Sequence, residues 1–311
     1  MESLQNIKRR LKGAQNIGTI TKAMELVEVT KMRKSQELAL NSRPYSYAAI
    51  DILGIISKFK DVPMPALLRG RQIKKTAFLL IASDKGLAGS FNSAVIRKFE
   101  SFVHAEHIDI YSAKYSFIAV GQKARTYCER RNLPLMQSFH HMGDSTKIEE
   151  VKPISDYLAK SYMNGDFDEV ISFSTSFVTA LRQDPVMRAI FPITFEKIKK
   201  SIEETVPRAG KYSHYIDIES FAGQNGGEYL IEPSPKEALE EIAPKLLDIW
   251  LYHLMLEANA SEHSARRVAM KNASENAEDL SEKLNIVYNK SRQAAITNAI
   301  IEVTSGAESA K

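Results

Sequence analysis

Neither glycine nor proline occurs in residues 245–305, which read KLLDIWLYHLMLEANASEHSARRVAMKNASENAEDLSEKLNIVYNKSRQAAITNAIIEVTS. Proline breaks the interior of a helix and glycine weakens it, so this segment predicts one uninterrupted helix. At 1.5 Å per residue, such a helix would be about 90 Å long. An ordinary globular domain does not need a helix of this length, and the segment therefore predicts an extended helical structure.

Residues 1–43 predict a second long helix, because they lack proline and contain only two glycines, Gly13 and Gly18. We expect this helix to kink near Pro44 and to continue to about Lys58. Its apolar residues recur at steps of three and four, which is the spacing of a coiled-coil seam. This predicted stripe consists of Leu4, Ile7, Leu11, Ala14, Ile17, Ile20, Met24 and Val27.

The C-terminal segment has a similar stripe, apolar at both ends and small or polar in its centre. It consists of Leu239, Ile242, Leu246, Ile249, Ala260, His263, Arg267, Ala277, Leu280, Leu284 and Val287. The two stripes predict that the ends of the chain pair in a coiled coil. A compact helical bundle is the alternative, but it would need more long helices than these two.

Between the ends, short apolar runs alternate with amphipathic stretches, which is typical of an α/β fold. We predict strands at residues 76–83, 116–120 and 169–177, with helices at 92–104 and 122–131. The expected fold is a long antiparallel coiled coil of the N- and C-terminal helices with an inserted Rossmann-like α/β domain. The expected domains are residues 1–60, 70–228 and 234–305.

Composition and charge restrict the function classes. The net charge of +4 is too small to indicate bulk nucleic-acid binding or a polybasic membrane tail. Cys128 is the one cysteine, which excludes an intramolecular disulfide and a cysteine-based zinc site and favours a reducing compartment. No apolar run approaches the roughly 18 to 20 residues that span a bilayer. The basic start suggests a mitochondrial presequence as one alternative, but Glu25 and Glu28 favour a structural helix.

The candidate chemical motifs are weak. The loop at residues 83–90, SDKGLAGS, follows a predicted strand, where Rossmann-type folds bind phosphates, but it lacks the P-loop ending and the three-glycine fingerprint. His140 and His141 are the one paired candidate for metal ligation, and adjacent histidines rarely bind the same ion. We therefore expect no catalytic residue, no cofactor and no metal site.

Basic residues outnumber acidic ones by eight to four over residues 1–40. A solvated helix face is the ordinary explanation of such a run. Because the predicted helix is longer than its globular domain can cover, we expect a partner surface with acidic groups instead. The basic residues are Lys8, Arg9, Arg10, Lys12, Lys22, Lys31, Arg33 and Lys34.

Several longer motifs occur in a specific order along the chain. They are ITKAMELV at 20–27, KMRKSQ at 31–36, SDKGLAG at 83–89, ASEH at 260–263, RVAMKNA at 267–273 and YNKSRQAAIT at 288–297. Together they closely resemble the gamma subunit of the rotary F-type ATP synthase.

The resemblance implies that the coiled coil is a central rotor shaft and that the α/β domain is its foot. Such a shaft couples proton-driven rotation of the membrane c-ring to ATP synthesis or hydrolysis at the beta subunits, and it is not itself catalytic. The implied partners are the alpha and beta subunits of the catalytic hexamer, the epsilon subunit and the c-ring, with no nucleic acid. The implied location is peripheral, on the cytoplasmic face of the bacterial inner membrane.

The resemblance also implies two groups of partner-binding residues. Those matching contacts with the beta subunit are Met24, Arg266, Arg267, Arg292, Gln293 and Thr297. Those matching the contact of the foot with the c-ring and epsilon subunit are Tyr229 and Glu232.

The chain departs from the family pattern at four positions in or beside these motifs. Glu28 and Val29 stand where small residues are usual, and Lys85 and Ala88 replace the commoner arginine and cysteine. The loop at 200–228 matches poorly. Two alternatives from other classes are a coiled-coil arm or hinge protein and a nucleotide-dependent enzyme built on the central sheet. The arms of the first class are far longer, and nucleotide binding to residues 70–230 would distinguish the second.

Overall fold

The computed structural model describes residues 3–41, 64–143, 146–193 and 232–309. Three predictions lie outside these residues: the kink at Pro44 with its continuation to Lys58, the loop at 200–228, and the contact residue Tyr229. The chain divides into two compact units. The coil unit comprises Met1–Glu28 and Arg266–Lys311, and the sheet unit comprises Val29–Ala265.

Two long helices begin and end the described chain. Helix α1 spans Leu4–Asn41, 38 residues, and the C-terminal helix spans Pro235–Ser309, 75 residues. The glycine-free and proline-free segment lies wholly within the second helix, as predicted. That helix also accommodates Pro244 near its start.

In the coil unit these two helices are antiparallel. The peptide oxygen of Gly18 accepts a hydrogen bond from Ser274 Oγ at 3.4 Å, and a Cβ on Gly18 would lie 3.5 Å from that of Ala277. Ten residues further along α1, Glu28 contacts Arg266. Advancing along α1 therefore moves backwards along the C-terminal helix. The small residues at 18, 274 and 277 allow this close approach.

Between residues 64 and 193, the described part of the sheet unit contains five strands and three shorter helices, in the order βαβαβαββ. The strands are β1 (Thr76–Ile81), β2 (Tyr115–Val120), β3 (Leu135–Phe139), β4 (Glu169–Thr179) and β5 (Arg182–Phe191). The helices are α2 (Phe91–Ala105), α3 (Gln122–Arg130) and α4 (Ile148–Asn164), so that the C-terminal helix is α5.

The strand order is β3-β2-β1-β4-β5. The first four of these are parallel to their neighbours, and β5 pairs antiparallel with β4. In the register of the central strands, Phe78 of β1 lies between Phe117 of β2 and Ile171 of β4.

Alternating residues of the strands build two cores, one on each face of the sheet. On one face, Leu79 and Ile81 pack with α4 and with the part of α5 around Trp250. On the other, Phe78 and Leu80 pack with α2 and α3, including Phe99. The sheet is thus covered by helices on both faces, which explains why β1 is apolar from Ala77 to Ile81.

The structure confirms the mixed α/β class and the three predicted strands. It adds two strands and a helix that the pattern did not reveal, β3, β5 and α4, and the antiparallel β5 makes the sheet only mostly parallel. The predicted coil stripe is wrong from Ile17 onwards. The buried face of α1 continues from Ala14 to Glu25 and Glu28, and Ile17 is exposed.

Candidate functional site

The outer face of the coil unit carries apolar side chains that the unit itself does not cover. On α1, Ile17, Ile20 and Val27 are 55%, 58% and 48% exposed. The spacing of these residues places them on one side of the helix, together with the half-buried Met24. On α5, the exposed apolar residues of the unit are Leu280, Ile286, Val287, Ile296, Ile300, Ile301 and Val303.

Three of the predicted beta-subunit contacts lie together on α5. Arg292, Gln293 and Thr297 are all exposed. Thr297 Oγ1 donates a hydrogen bond to the peptide oxygen of Gln293 at 3.0 Å, one helical turn earlier. Ile296, also exposed, lies one turn after Arg292, so a charge and an apolar side chain are neighbours on the same face.

The two predicted arginines nearer the start of the coil are not surface groups. Arg266 is buried, and its Nη1 lies 3.4 Å from Glu28 Oε2 on α1. Arg267 is half-buried. Its Nε is shielded from solvent and has no hydrogen-bond partner among the residues that the structure describes. Glu28 was not among the predicted site residues. The sequence did contain a signal for it, because Glu28 stands where the family usually has a small residue.

Of the two residues predicted for the foot, the structure describes one. Glu232 is exposed and lies three residues before α5 begins. Tyr229 lies outside the described residues. No contact of Glu232 with another described member of the predicted set is present.

The loop after β1 is held by side-chain hydrogen bonds. Ser83 Oγ donates to the peptide oxygen of Lys85 at 2.6 Å, and the side chain of Asn92 bonds both the backbone and the hydroxyl of Ser83. At the tip of the loop, Leu87 is exposed and has a φ of 63°, a left-handed conformation that is uncommon for a branched residue.

A carboxylate caps the N-terminus of α3, the helix that follows β2. Asp84 Oδ1 accepts a hydrogen bond from the backbone nitrogen of Gln122, the first residue of α3, at 2.8 Å. Its Oδ2 accepts from the backbone nitrogen of Met142 at 2.9 Å. Helix N-termini bind anions through such backbone groups, so the chain supplies its own anion here.

The cavity beside this loop is small. It has a volume of about 30 Å³ and is lined by Asp84, Lys85, Asn259, Glu262 and His263, among others. Sites for small-molecule ligands and cofactors usually measure about 300 to 1,000 Å³. The cavity in this conformation is therefore of the size of a water molecule and not of a nucleotide.

The remaining chemical candidates gain no support from the geometry. The rings of His140 and His141 lie with their centroids 4.6 Å apart and their planes tilted by 59°. Within the described ranges, no group of three histidine, cysteine or acidic residues is arranged to hold a metal ion. Cys128 is fully buried, and burial raises the pKa of its thiol to about 12. None of the helices in the described ranges is long and apolar enough to cross a membrane.

Comparison with known proteins identifies the family. The family model described as ATP synthase matches residues 3–310. The ATP synthase gamma chain of Moorella thermoacetica is 32% identical over 311 residues, covering 100% of both chains. That of Pelotomaculum thermopropionicum is 34% identical over 307 residues, covering 99% of each.

Solved structures share the fold. The rotor of the mitochondrial ATP synthase of Euglena gracilis includes a chain that superposes with a TM-score of 0.60 at 16% identity, covering 94% of this chain and 98% of that one. A chain of the central stalk and c-ring structure from Tetrahymena thermophila gives 0.55 at 20% identity, covering 82% and 99%. The chain therefore belongs to the gamma chains of the ATP synthase, the family that forms the central stalk of that complex.

Proposed function

We propose that this chain is the rotating shaft of its ATP synthase and that it carries rotation between a ring of c subunits in the membrane and the catalytic beta subunits. The observation that supports this most directly is the outward-facing apolar surface of the coil unit, with Ile17, Ile20 and Val27 about half exposed. Large exposed apolar patches mark interaction surfaces. A shaft enclosed by a ring of alpha and beta subunits needs such a surface on all sides.

The shaft itself catalyses nothing. The backbone N–H group at the start of α3 already binds the carboxylate of Asp84, and the adjoining cavity holds about 30 Å³. Both features favour a structural role of the sheet over nucleotide binding, which is the competing enzyme hypothesis. Calorimetric titration of the purified chain with ATP tests this. We expect no heat of binding, and a micromolar dissociation constant would overturn it.

The beta-subunit contacts on the coil fall into two sets. Arg292, Gln293 and Thr297 are exposed and available to a partner. Met24 and Arg267 are half-buried, and a partner surface would cover their remaining exposed atoms. Arg266 would act with Glu28, since these two side chains already form an ion pair within the coil.

The foot is proposed to meet the c-ring and the epsilon subunit through Tyr229 and Glu232. Glu232 is exposed close to the start of α5, which suits a contact with a partner. Replacing Glu232 with Lys should weaken retention on membranes after a salt wash, while ATP hydrolysis by the detached assembly stays unchanged. Retention equal to that of the parent would remove Glu232 from this contact.

These contacts would make the chain a peripheral protein on the cytoplasmic face of a bacterial inner membrane, attached through the c-ring. The proposed shaft keeps the expected bounds of residues 1–60 and 234–305, and the proposed foot keeps residues 70–228. The compact units are drawn differently, because the part of α5 before Arg266 belongs to the sheet unit. The alternative of a coiled-coil arm protein has no support from a specific feature of the described residues.

Purification through an affinity tag on this chain tests the assembly. We expect alpha and beta subunits to copurify in about threefold molar excess over the tagged chain, as one shaft inside a ring of alternating subunits requires. Copurification of the chain only with itself would contradict the proposal. A matched control carries the tag on an unrelated coiled-coil protein from the same cells.

A further inference from the structure

Helix α1 has two faces that compete for burial in the coil unit. One carries Ile17, Ile20, Met24 and Val27, and the other, displaced by one residue, carries Gly18, Thr21, Glu25 and Glu28. Burial of apolar area favours the first face. The structure nevertheless buries the second, with Glu25 and Glu28 both less than a tenth exposed. Another interaction must therefore determine the rotational setting of α1.

The ion pair of Glu28 and Arg266 is one such interaction. Glu28 Oε2 lies 3.4 Å from Arg266 Nη1, and the two side chains are 7% and 3% exposed. Neighbouring residues of a helix differ by about 100° around its axis. Rotating α1 to bring Val27 to the seam would thus carry Glu28 away from Arg266. The rotation would leave the buried guanidinium without this carboxylate, which is strongly unfavourable in a dry interior.

The close approach of the helices at Gly18 acts in the same direction. A Cβ placed on Gly18 would already lie 3.5 Å from the Cβ of Ala277, which is ordinary van der Waals contact. If α1 rotated by one residue, the branched side chain of Ile17 would have to occupy this space. Steric contact at one end of the seam and charge pairing at the other therefore select the same setting.

We propose that Glu28 and Arg266 are a positioning pair that fixes the rotational setting of α1 and so keeps the apolar face with Ile17, Ile20 and Val27 directed outwards. In this setting two charged side chains are buried, which is unfavourable. The apolar side chains of α1 also stay exposed, so the free energy of burying them is not gained. In return, the apolar face stays available to a partner. The buried pair thus specifies one arrangement of the coil over a competing one of similar composition.

Two cysteine pairs report the setting directly. In the structure, Gly18→Cys with Ala277→Cys places the two Cβ atoms close to the range of a disulfide, about 3.5 to 4.5 Å. In the rotated setting, Ile17→Cys with Ala277→Cys would take over that position. The natural Cys128 does not interfere, because it is fully buried with a raised thiol pKa. The rates at which the two pairs form disulfides in the full-length chain give the ratio of the populations of the two rotational settings.

The decisive variant removes both charges together, as Glu28→Leu with Arg266→Met. Replacing a buried ion pair with apolar residues of similar volume usually leaves a protein as stable or makes it more stable, so this variant should fold. We expect cross-linking through Ile17→Cys to rise by about tenfold or more relative to that through Gly18→Cys, since rotation no longer separates buried charges. The helical content and the thermal midpoint should not fall.

Glu28→Asp retains the charge and should keep the parental ratio. Neutralising Lys271 and Glu275 to glutamines provides the matched control, because that exposed pair lies on α5 and joins residues of the same helix. An unchanged ratio in the doubly apolar variant would overturn the proposal, as would an equal increase in the control. The test needs only this chain, so its outcome is independent of the proposed rotor function.

Discussion

Arg188 Nη1 of β5 lies 2.8 Å from Glu257 Oε2 of α5, and the two side chains are 8% and 3% exposed. The pair lies one turn beyond the stretch of α5 around Leu254, which packs on the sheet through apolar side chains. Further along, Ser264 Oγ donates to the peptide oxygen of Ala180 at the tip of the β4–β5 hairpin, at 2.6 Å. The long helix is therefore attached to the sheet first by apolar packing and then by polar contacts.

Breaking this pair should destabilise the sheet unit strongly. Replacing Glu257 with Ala leaves the buried guanidinium of Arg188 without its carboxylate, which costs about 3 to 5 kcal/mol when such a pair is buried. The free energy of unfolding measured in urea would show the loss. Glu241→Gln is the control, since it removes an exposed ion pair with Lys245 on the same helix. Equal effects of the two changes would refute the importance of the buried pair.

Gly121 should be irreplaceable, whereas Gly13 should not. Gly121 has a φ of 87°, and a Cβ on it would lie 2.0 Å from the peptide oxygen of Ala82. Gly121→Ala should therefore cost at least about 2 kcal/mol from backbone strain alone, with the clash in addition. Gly13 lies in α1 with nothing within 4 Å of such a Cβ, and Gly13→Ala should stabilise the helix by about 0.5 to 1 kcal/mol. Thermal unfolding compares the two, and a tolerated Gly121→Ala would contradict the geometry.

The contribution of Asp168 to stability should depend on pH. Burial raises the pKa of this carboxyl, but hydrogen bonds from the backbone nitrogens of Lys74 and Lys75 and the charge of Arg71 outweigh burial, so the pKa is lowered from 3.8. A lowered pKa in the folded state means that the stabilisation is complete above pH 3.8. It is then lost as the pH falls through the folded-state value.

Asp168→Asn should accordingly reduce the free energy of unfolding at pH 7. The loss should be limited to about 1 to 2 kcal/mol, because solvent screens the partly exposed Arg71. The difference from the parent should shrink towards zero as the pH falls below 3.8. Asp156→Asn, in an exposed pair with Lys152, should have little effect at either pH. A constant difference between Asp168→Asn and the parent across this range would show that the charge is irrelevant.

The sequence pattern predicted two kinds of element correctly: strands that are buried on both faces of the sheet, and long helices. β1 is buried along its whole length, and its apolar run identified it directly. β3 was missed because it is a short edge strand whose centre, Met136 and Gln137, is exposed to solvent. β5 was missed because it begins with charged residues and contains Pro185, which is tolerated only at the edge of a sheet. Pro153 similarly concealed α4.

The coil stripe failed for a different physical reason. Counting apolar residues led from Ala14 to Ile17, whereas the regular alternation of steps of four and three leads to Gly18, Thr21, Glu25 and Glu28. A pattern of hydrophobicity cannot indicate that two charges on distant segments are buried against each other. The ion pair joins Glu28 and Arg266, which are 238 residues apart in sequence and meet only because the two long helices pair.

Coupling between rotation of this chain and ATP turnover at the beta subunits should depend on Arg292 and Gln293. Both are exposed on α5, and charge-assisted hydrogen bonds from such donors are stronger than neutral ones. Changing both to Ala should lower ATP turnover of the assembled complex several-fold while assembly stays normal. Glu282→Gln, exposed and earlier on the same helix, is the control. Parental turnover by a normally assembled double variant would show that these side chains are bystanders.

Rotation of this chain inside its complex can be observed on single molecules. Lys114→Cys places a reactive thiol on the exposed surface of the sheet unit, while Cys128 stays buried and unreactive. A bead attached there, on complexes fixed through the beta subunits, should rotate in one direction when ATP is added and stop when ATP is removed. Complexes that hydrolyse ATP at the parental rate while the bead stays still would show that this chain does not rotate during catalysis.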